Sequence, residues 1–350
     1  MKRFLRTMLL AAAVVGIALA AGGCGRKRFF VSSIRGMPAP IPSGRKLSAP
    51  RNLAMFSGNT GMWLTWDDVR NAMKWADVIL VGEQHNDAVA HQVELALVSD
   101  AAALAPPTGV SMEMLERNEQ EIVDAYLSGK ISREEFVSQT GSANWGAKGK
   151  WDDWYQPIVD AARDAGVPLI AANSPRKYVR EARVEGYGAL WKHPPVERKW
   201  YFIPRRILTG SYARRFRRIM SRHSVSPRTP KPTTRPVATR PAKRPMPRRK
   251  LDCEAFFRAQ LVWDATMADS IADGLDSGLA RVIHLVGQFH TDFDGGTVQY
   301  LLDRNPDLKI LTISLQNASS RSLRRSDRKR ADVIIYTLAK PPKEKKTDSP

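Results

Sequence analysis

Glu83, His85, Glu113, Asn173 and His290 are the residues whose types and settings could do chemistry. Two of them close matched motifs, Gly82-Glu83-Gln84-His85 and Gly287-Gln288-Phe289-His290. Each motif follows an aliphatic run: Asp77-Val78-Ile79-Leu80-Val81 before the first, Arg281-Val282-Ile283-His284-Leu285-Val286 before the second. Only six histidines occur in 350 residues, so two in the same setting carry information. Two carboxylates and two imidazoles at one place would make a divalent-metal set or an acid/base set. Glu83, His85, Glu113 and His290 are therefore the catalytic candidates, and Glu83, His85 and His290 the candidate metal ligands. Glu83 and His85 stand two apart, so on an extended backbone they point the same way. Glu113 would arrive from a neighbouring strand and His290 from across the sheet, although Glu113 has alternatives in pairing with Arg117 or capping a helix. The spacing is not that of a closed structural zinc site, so a metal assignment rests on convergence. The competing reading is two unrelated capping or packing histidines. His91 lies on a helix, either at the site or facing solvent, while His284, inside a strand run, reads as a core histidine. His193 and His223 carry no particular signal.

Such convergence needs strands. A run of four to six aliphatic residues stopping at Gly reads as a buried parallel strand, whose carboxyl end is where open α/β sheets bind ligands. Further runs are Gly109-Val110-Ser111-Met112, Val167-Pro168-Leu169-Ile170-Ala171-Ala172, Leu308-Lys309-Ile310-Leu311-Thr312-Ile313 and Asp332-Val333-Ile334-Ile335-Tyr336. Between them, Asn86-Asp87 offers N-caps to an amphipathic helix over His91-Gln92-Val93-Glu94-Leu95-Ala96-Leu97-Val98. Strands separated by helical patterns predict an α/β fold: a mostly parallel sheet with helices on both faces. Residues 118–136 look helical but belong to no strand-helix-strand unit. With the 145–155 region they predict a small helical subdomain, about 116–156, over the strand ends. The domain as a whole is expected over 61–340, preceded by a tether at 24–60 and followed by a charged tail at 341–350.

The N-terminus and the charge distribution bear on location. Lys2, Arg3 and Arg6 precede an apolar stretch over 8–21 that is too short to span a bilayer comfortably. Small residues then lead to Cys24, which predicts an export signal over 1–23 with Cys24 as the lipidated residue of a bacterial lipobox. A conventional cleavable signal or an uncleaved anchor are the alternatives. Cys253 is the other of only two cysteines, so an acylated Cys24 leaves no intramolecular disulfide. The formal net charge is +20, but residues 205–250 hold sixteen Lys or Arg and no acid. Removing those sixteen leaves a balance of +4, so the high pI belongs to one stretch. Seven prolines over 227–247 mark an extended, solvated insertion at about 222–250. Anionic phospholipid or cell-wall polymer, or no partner at all, suits it better than nucleic acid does.

The chain resembles the ChaN-like haem-binding lipoprotein family, within the superfamily that includes Tiki metalloproteases and erythromycin-esterase-like enzymes. The resemblance rests on Val81-Gly82-Glu83-Gln84-His85-Asn86-Asp87 with His91-Gln92, and on Ser111-Met112-Glu113-Met114-Leu115-Glu116-Arg117. It continues through Asn144-Trp145, Ile170-Ala171-Ala172-Asn173-Ser174-Pro175-Arg176, the stretch from Gln260 through Asp264 to Ala268, and Gly287-Gln288-Phe289-His290. It covers roughly 75–315; the basic insertion is extra. The resemblance implies a parallel-sheet core with a small helical domain, an outer-membrane location, and haem binding linked to iron acquisition, in a pocket that pairing of two subunits can close. It implies a tyrosine axial ligand, for which Tyr155 is the candidate, with a buried structural tyrosine there as the alternative, and places His91, Asn173, Arg176, Gln260 and Asp264 at the cofactor site. Haem needs an axial donor, an apolar aromatic cleft and cations for its propionates. Through the Tiki branch the same resemblance implies an alternative: a divalent-metal-dependent hydrolase using Glu83, His85, Glu113 and His290.

Overall fold

The computed structural model describes residues 50–146, 149–224 and 252–338. The expected signal, Cys24, the core of the basic insertion and the charged tail all lie outside the described residues. Eight strands form one sheet: β1 Ala54–Ser57, β2 Trp63–Leu64, β3 Val78–Glu83, β4 Thr108–Glu116, β5 Leu169–Asn173, β6 Arg281–Gly287, β7 Ile310–Gln316 and β8 Val333–Tyr336. Their order is β2-β1-β8-β7-β3-β6-β4-β5. From β8 to β5 every pairing is parallel, and only β1 adds antiparallel edges, to β8 and β2. The α/β class and the mostly parallel sheet are as the sequence predicts.

Alternation along the central strands explains why helices cover both faces. Ile79, Val81, Ile283, Leu285 and Leu311 point into one core, packed by Met73, Val93, Leu97, Ile158 and Val159. Val78, Leu80, Val282 and Ile310 point into the other, met by Leu261, Ala265, Ile271, Val298 and Leu301. With both faces apolar, every residue of β3, β6 and β7 is buried. His284 is in this interior, as expected of a core histidine: its Nδ1 lies 2.9 Å from Ser111 Oγ, and burial pushes its pKa down to about 3.

Several expectations change. The tether over 24–60 ends early, because Met55 and Phe56 are buried and β1 hydrogen-bonds to β8. The strand read as 109–112 runs on to Glu116, with a shift in register against β5 between Met112 and Glu116. The helical run 118–136 is two helices, Gln120–Leu127 and Arg133–Gln139, parted where Gly129 takes φ +70°. Their Tyr126 and Phe136 join Trp151 in the same core as the sheet, so this region is continuous with the main body. The helix Ala88–Ala102 is not simply amphipathic: His91 and Glu94 are buried with its aliphatic face. The basic stretch also begins as structure, since Tyr212, Ala213 and Phe216 of the helix Gly210–Ser224 are buried while Arg214, Arg217 and Arg218 face solvent.

Candidate functional site

Sheet order brings the two motifs together. β3 and β6 are neighbours in register Glu83↔Gly287, and β4 flanks β6 with Met112↔Leu285. Glu83, His85, Glu113 and His290 therefore converge at the carboxyl ends of three adjacent strands. His290 comes from the strand next to Glu83 and not from across the sheet. The motif glycines permit the closeness. A Cβ on Gly82 would stand 2.7 Å from Thr291 Oγ1 and 3.0 Å from Gln288 Cα. One on Gly287 would stand 3.0 Å from His85 Nε2 and 3.4 Å from Glu113 Oε2.

Glu83 is buried at the hub. Its Oε1 accepts from Tyr155 OH at 2.7 Å and from His85 Nδ1 at 2.5 Å, and its Oε2 lies 3.1 Å from His91 Nδ1. Burial alone would raise its pKa, but the two imidazoles outweigh that and hold it well below the usual range. His85 is lowered by burial yet raised overall by its bond to Glu83 and the charge of Glu113. His91 follows the same logic and is pushed up to about 10, by Glu83 and Glu94. Its ring stacks on Trp154 at 4.8 Å and meets Tyr155 edge-on at 4.6 Å.

The second cluster centres on His290. Its Nδ1 donates to Asp264 Oδ1 at 2.8 Å and its Nε2 lies 3.5 Å from Glu113 Oε1. Asp264 also accepts from Tyr212 OH at 2.6 Å and Thr297 Oγ1 at 3.1 Å, while Gln260 Nε2 packs 3.1 Å from His290 Nδ1. Burial would lower the His290 pKa, but Asp264 and Glu113 carry it to about 10. Glu113 in turn settles at about 2: burial raises it, and His290, His85 and the Gly287 N–H at 2.6 Å outweigh that. After His290 the chain passes through left-handed Phe293 and Asp294, φ +56° and +55°. Arg215 and Arg330 lie over the Phe293 ring, and Arg330 pairs with Asp292 at 2.6 Å. The strained turn is thus pinned in place.

Beside these clusters opens a cleft of about 570 Å³. Glu113, Asn173 and Gln260 give it polar wall, and Trp145, Phe216, Met220, Phe256 and Trp263 its apolar wall. Arg176, Arg180 and Arg183 complete it, at i, i+4 and i+7 on one face of the helix Arg176–Val184. Arg176 lies over Trp145 at 5.2 Å and Arg183 over Phe256 at 4.7 Å. Asn173 is fixed by donating to the Glu113 carbonyl at 2.9 Å. His85 reaches the rim: its side chain is 37 % exposed, its ring sits 5.3 Å from that of Trp145, and its Nε2 approaches Gly287 beside Glu113. A larger groove of about 780 Å³ passes Gln120, Ile170 and Leu279 and contains none of the strand-end residues.

Of the expected cofactor residues, Asn173, Arg176 and Gln260 line the cleft. His91, Asp264 and Tyr155 stand behind it as supports. Tyr155 as axial ligand is a correction: it is fully buried and its hydroxyl is given to Glu83. Burial first, then the neighbouring carboxylates, push its pKa far up, against the phenolate a metal would need. The expected metal trio Glu83, His85 and His290 is corrected too. Among the described residues, the donors that gather within 4.8 Å of one another are those of Glu83, His91 and Glu94. Sequence reasoning missed Arg180, Arg183 and Glu94. The first two were visible in the helical spacing from Arg176, and Glu94 in its place one turn after His91.

The chain is by class an α/β protein with a cationic, aromatic cleft at the carboxyl ends of its parallel strands, where such sheets bind ligands. The chain belongs to the family described as haem-binding uptake, Tiki superfamily, ChaN, which matches residues 69–301. In structure it is similar to the ChaN of Campylobacter jejuni with cofacially bound haem, at 19% identity and TM-score 0.55, over 81% of this chain and 96% of that one. It also aligns with an erythromycin esterase, EreC, at 11% identity and TM-score 0.38 over 75% and 77% of the two chains. Among curated proteins no relative matches.

Proposed function

We propose that this chain binds haem in the cleft beneath the helix Arg176–Val184 and acts in haem or iron acquisition at the bacterial cell envelope, held to the membrane through a lipidated Cys24. One observation carries the reading: aromatic walls and three guanidiniums share one cleft. Haem is a flat apolar ring bearing two carboxylates, and Arg matches carboxylates in planar, charge-assisted geometry. Arg180 makes no interaction with another side chain among the described residues and is free to do this. For the iron, the rim offers His85: Nδ1 is committed to Glu83, which leaves Nε2 as the donor. The basic n-region, the apolar stretch and Cys24 support anchoring, and Gly25 after it favours sorting to the outer membrane.

Titrating hemin into the purified chain should give a saturable Soret band. Replacing Arg180 and Arg183 by Ala removes charged hydrogen bonds of about 1.5–3 kcal/mol each, so each change should weaken binding roughly ten- to a hundredfold. The dimethyl ester of haem, lacking the carboxylates, should bind wild type and variant alike. Tyr155→Phe should keep the band, and His85→Ala should shift it. Hemin that shows no saturable band with wild type would refute the reading.

A further inference from the structure

Glu83, His91 and Glu94 lie behind the cleft, Glu83 at the end of β3 and the other two one turn apart on the helix Ala88–Ala102. They are 1, 2 and 0 % exposed. His91 Nδ1 stands 2.9 Å from Glu94 Oε2 and 3.1 Å from Glu83 Oε2, so one ring nitrogen faces two carboxylates. Its single proton cannot serve both. Glu83 Oε2 is thereby left without a donor, Glu94 Oε1 has none either, and a buried carboxylate oxygen without a donor is costly. The far side of the same ring, Nε2, faces the His85 carbonyl at 3.4 Å. That is the outer hydrogen bond that metal-binding imidazoles use to fix their tautomer.

We infer that Glu83, His91 and Glu94 form a buried structural site for a divalent first-row ion, zinc or manganese. Two carboxylates and a neutral imidazole balance a dication. Oxygen and nitrogen donors without sulfur suit zinc or manganese, whereas calcium would call for six or more oxygens. Ligands at about 2.0–2.1 Å around tetrahedral zinc sit roughly 3.3 Å apart. The observed 2.9 and 3.1 Å separations need open by only a few tenths of an ångström. Such an ion takes the place of the shared proton and supplies the orphaned Glu83 Oε2 with a partner. It leaves Glu83 Oε1 to Tyr155 and His85, so it would stiffen the support of the rim histidine without entering the cleft. The inference stands apart from haem binding.

The test is metal content. Purified full-length protein is unfolded, refolded with excess zinc or manganese, freed of loose metal by gel filtration and measured by elemental analysis beside circular dichroism. One ion per chain is expected in wild type, His85→Ala and His290→Ala, and its loss in Glu94→Gln and His91→Asn. Substoichiometric metal in wild type with both ions overturns the inference. So does full retention in a folded Glu94→Gln, or loss in His85→Ala with retention in Glu94→Gln, which would move the ion to the cleft rim. If Glu94→Gln does not fold, X-ray absorption of the loaded wild type decides: one imidazole with oxygen neighbours supports the site, and sulfur or several imidazoles overturns it.

Discussion

Glu113 and His290 show how single side chains at this site tie stability to pH. Glu113 is held near pKa 2 in the folded chain against 4.5 ordinarily, and His290 near 10 against 6.5. A depressed carboxyl contributes stability that is present above its unfolded pKa and lost as pH falls through the folded one. A raised imidazole contributes stability that is present below its unfolded pKa and lost as pH rises through the folded one. The two ranges overlap between about pH 4.5 and 6.5, where urea unfolding midpoints should be highest. Midpoints should fall toward pH 10, and His290→Asn should make that alkaline decline shallower. A flat midpoint from pH 6 to 10 would contradict the assignment of charge to the Glu113–His290 cluster. At this scale the residues singled out by sequence come together in the fold, while several of their contacts differ from those expected. Glu83, His85, Glu113 and His290 announce themselves by following aliphatic runs. The side to which Tyr155 turns is set by Glu83, 72 positions away, and nothing within Trp151-Asp152-Asp153-Trp154-Tyr155 records that partner.

At the scale of elements, the motif glycines divide two jobs between two adjacent strands. Gly82 lets the Gln288–His290 turn close onto β3, and the obstacle to a methyl there includes backbone, Gln288 Cα at 3.0 Å. Gly82→Ala should therefore cost about 1–3 kcal/mol in urea unfolding, as overpacking does. Gly287 is limited by a side chain, since a Cβ there would meet His85 Nε2 at 3.0 Å. Gly287→Ala should shift the hemin spectrum by displacing that ring, with a smaller loss of stability. Equal losses of stability with an unchanged spectrum would refute this division. Strands β3 and β6 were legible because both of their faces are buried, which leaves unbroken aliphatic runs. β4 was read too short because Glu113 looks like the end of a strand; it is tolerated within one because the Gly287 N–H and His290 satisfy it. β1 and β2 were missed for a different reason: four and two residues carry almost no periodicity, and only their pairing at the sheet edge defines them.

For the whole molecule, the cleft and the means of attachment are separable, because every residue of the cleft and its rim falls between His85 and Trp263 while the proposed anchor is Cys24. Several acyl chains on one residue hold a protein at a bilayer far more firmly than a single chain or a basic patch does. Any attraction of the basic stretch over 205–250 to anionic headgroups would be screened within about 8–10 Å at ordinary ionic strength. Cys24→Ser should thus move the protein from the membrane fraction to the soluble fraction at physiological salt, leave the hemin titration unchanged, and retain sedimentation with anionic vesicles only at low salt. Deleting 225–250 from that variant should abolish the low-salt sedimentation. A Cys24→Ser protein that stays with membranes in high salt would instead show the apolar stretch over 8–21 acting as an uncleaved anchor, and lipidation at Cys24 would be refuted.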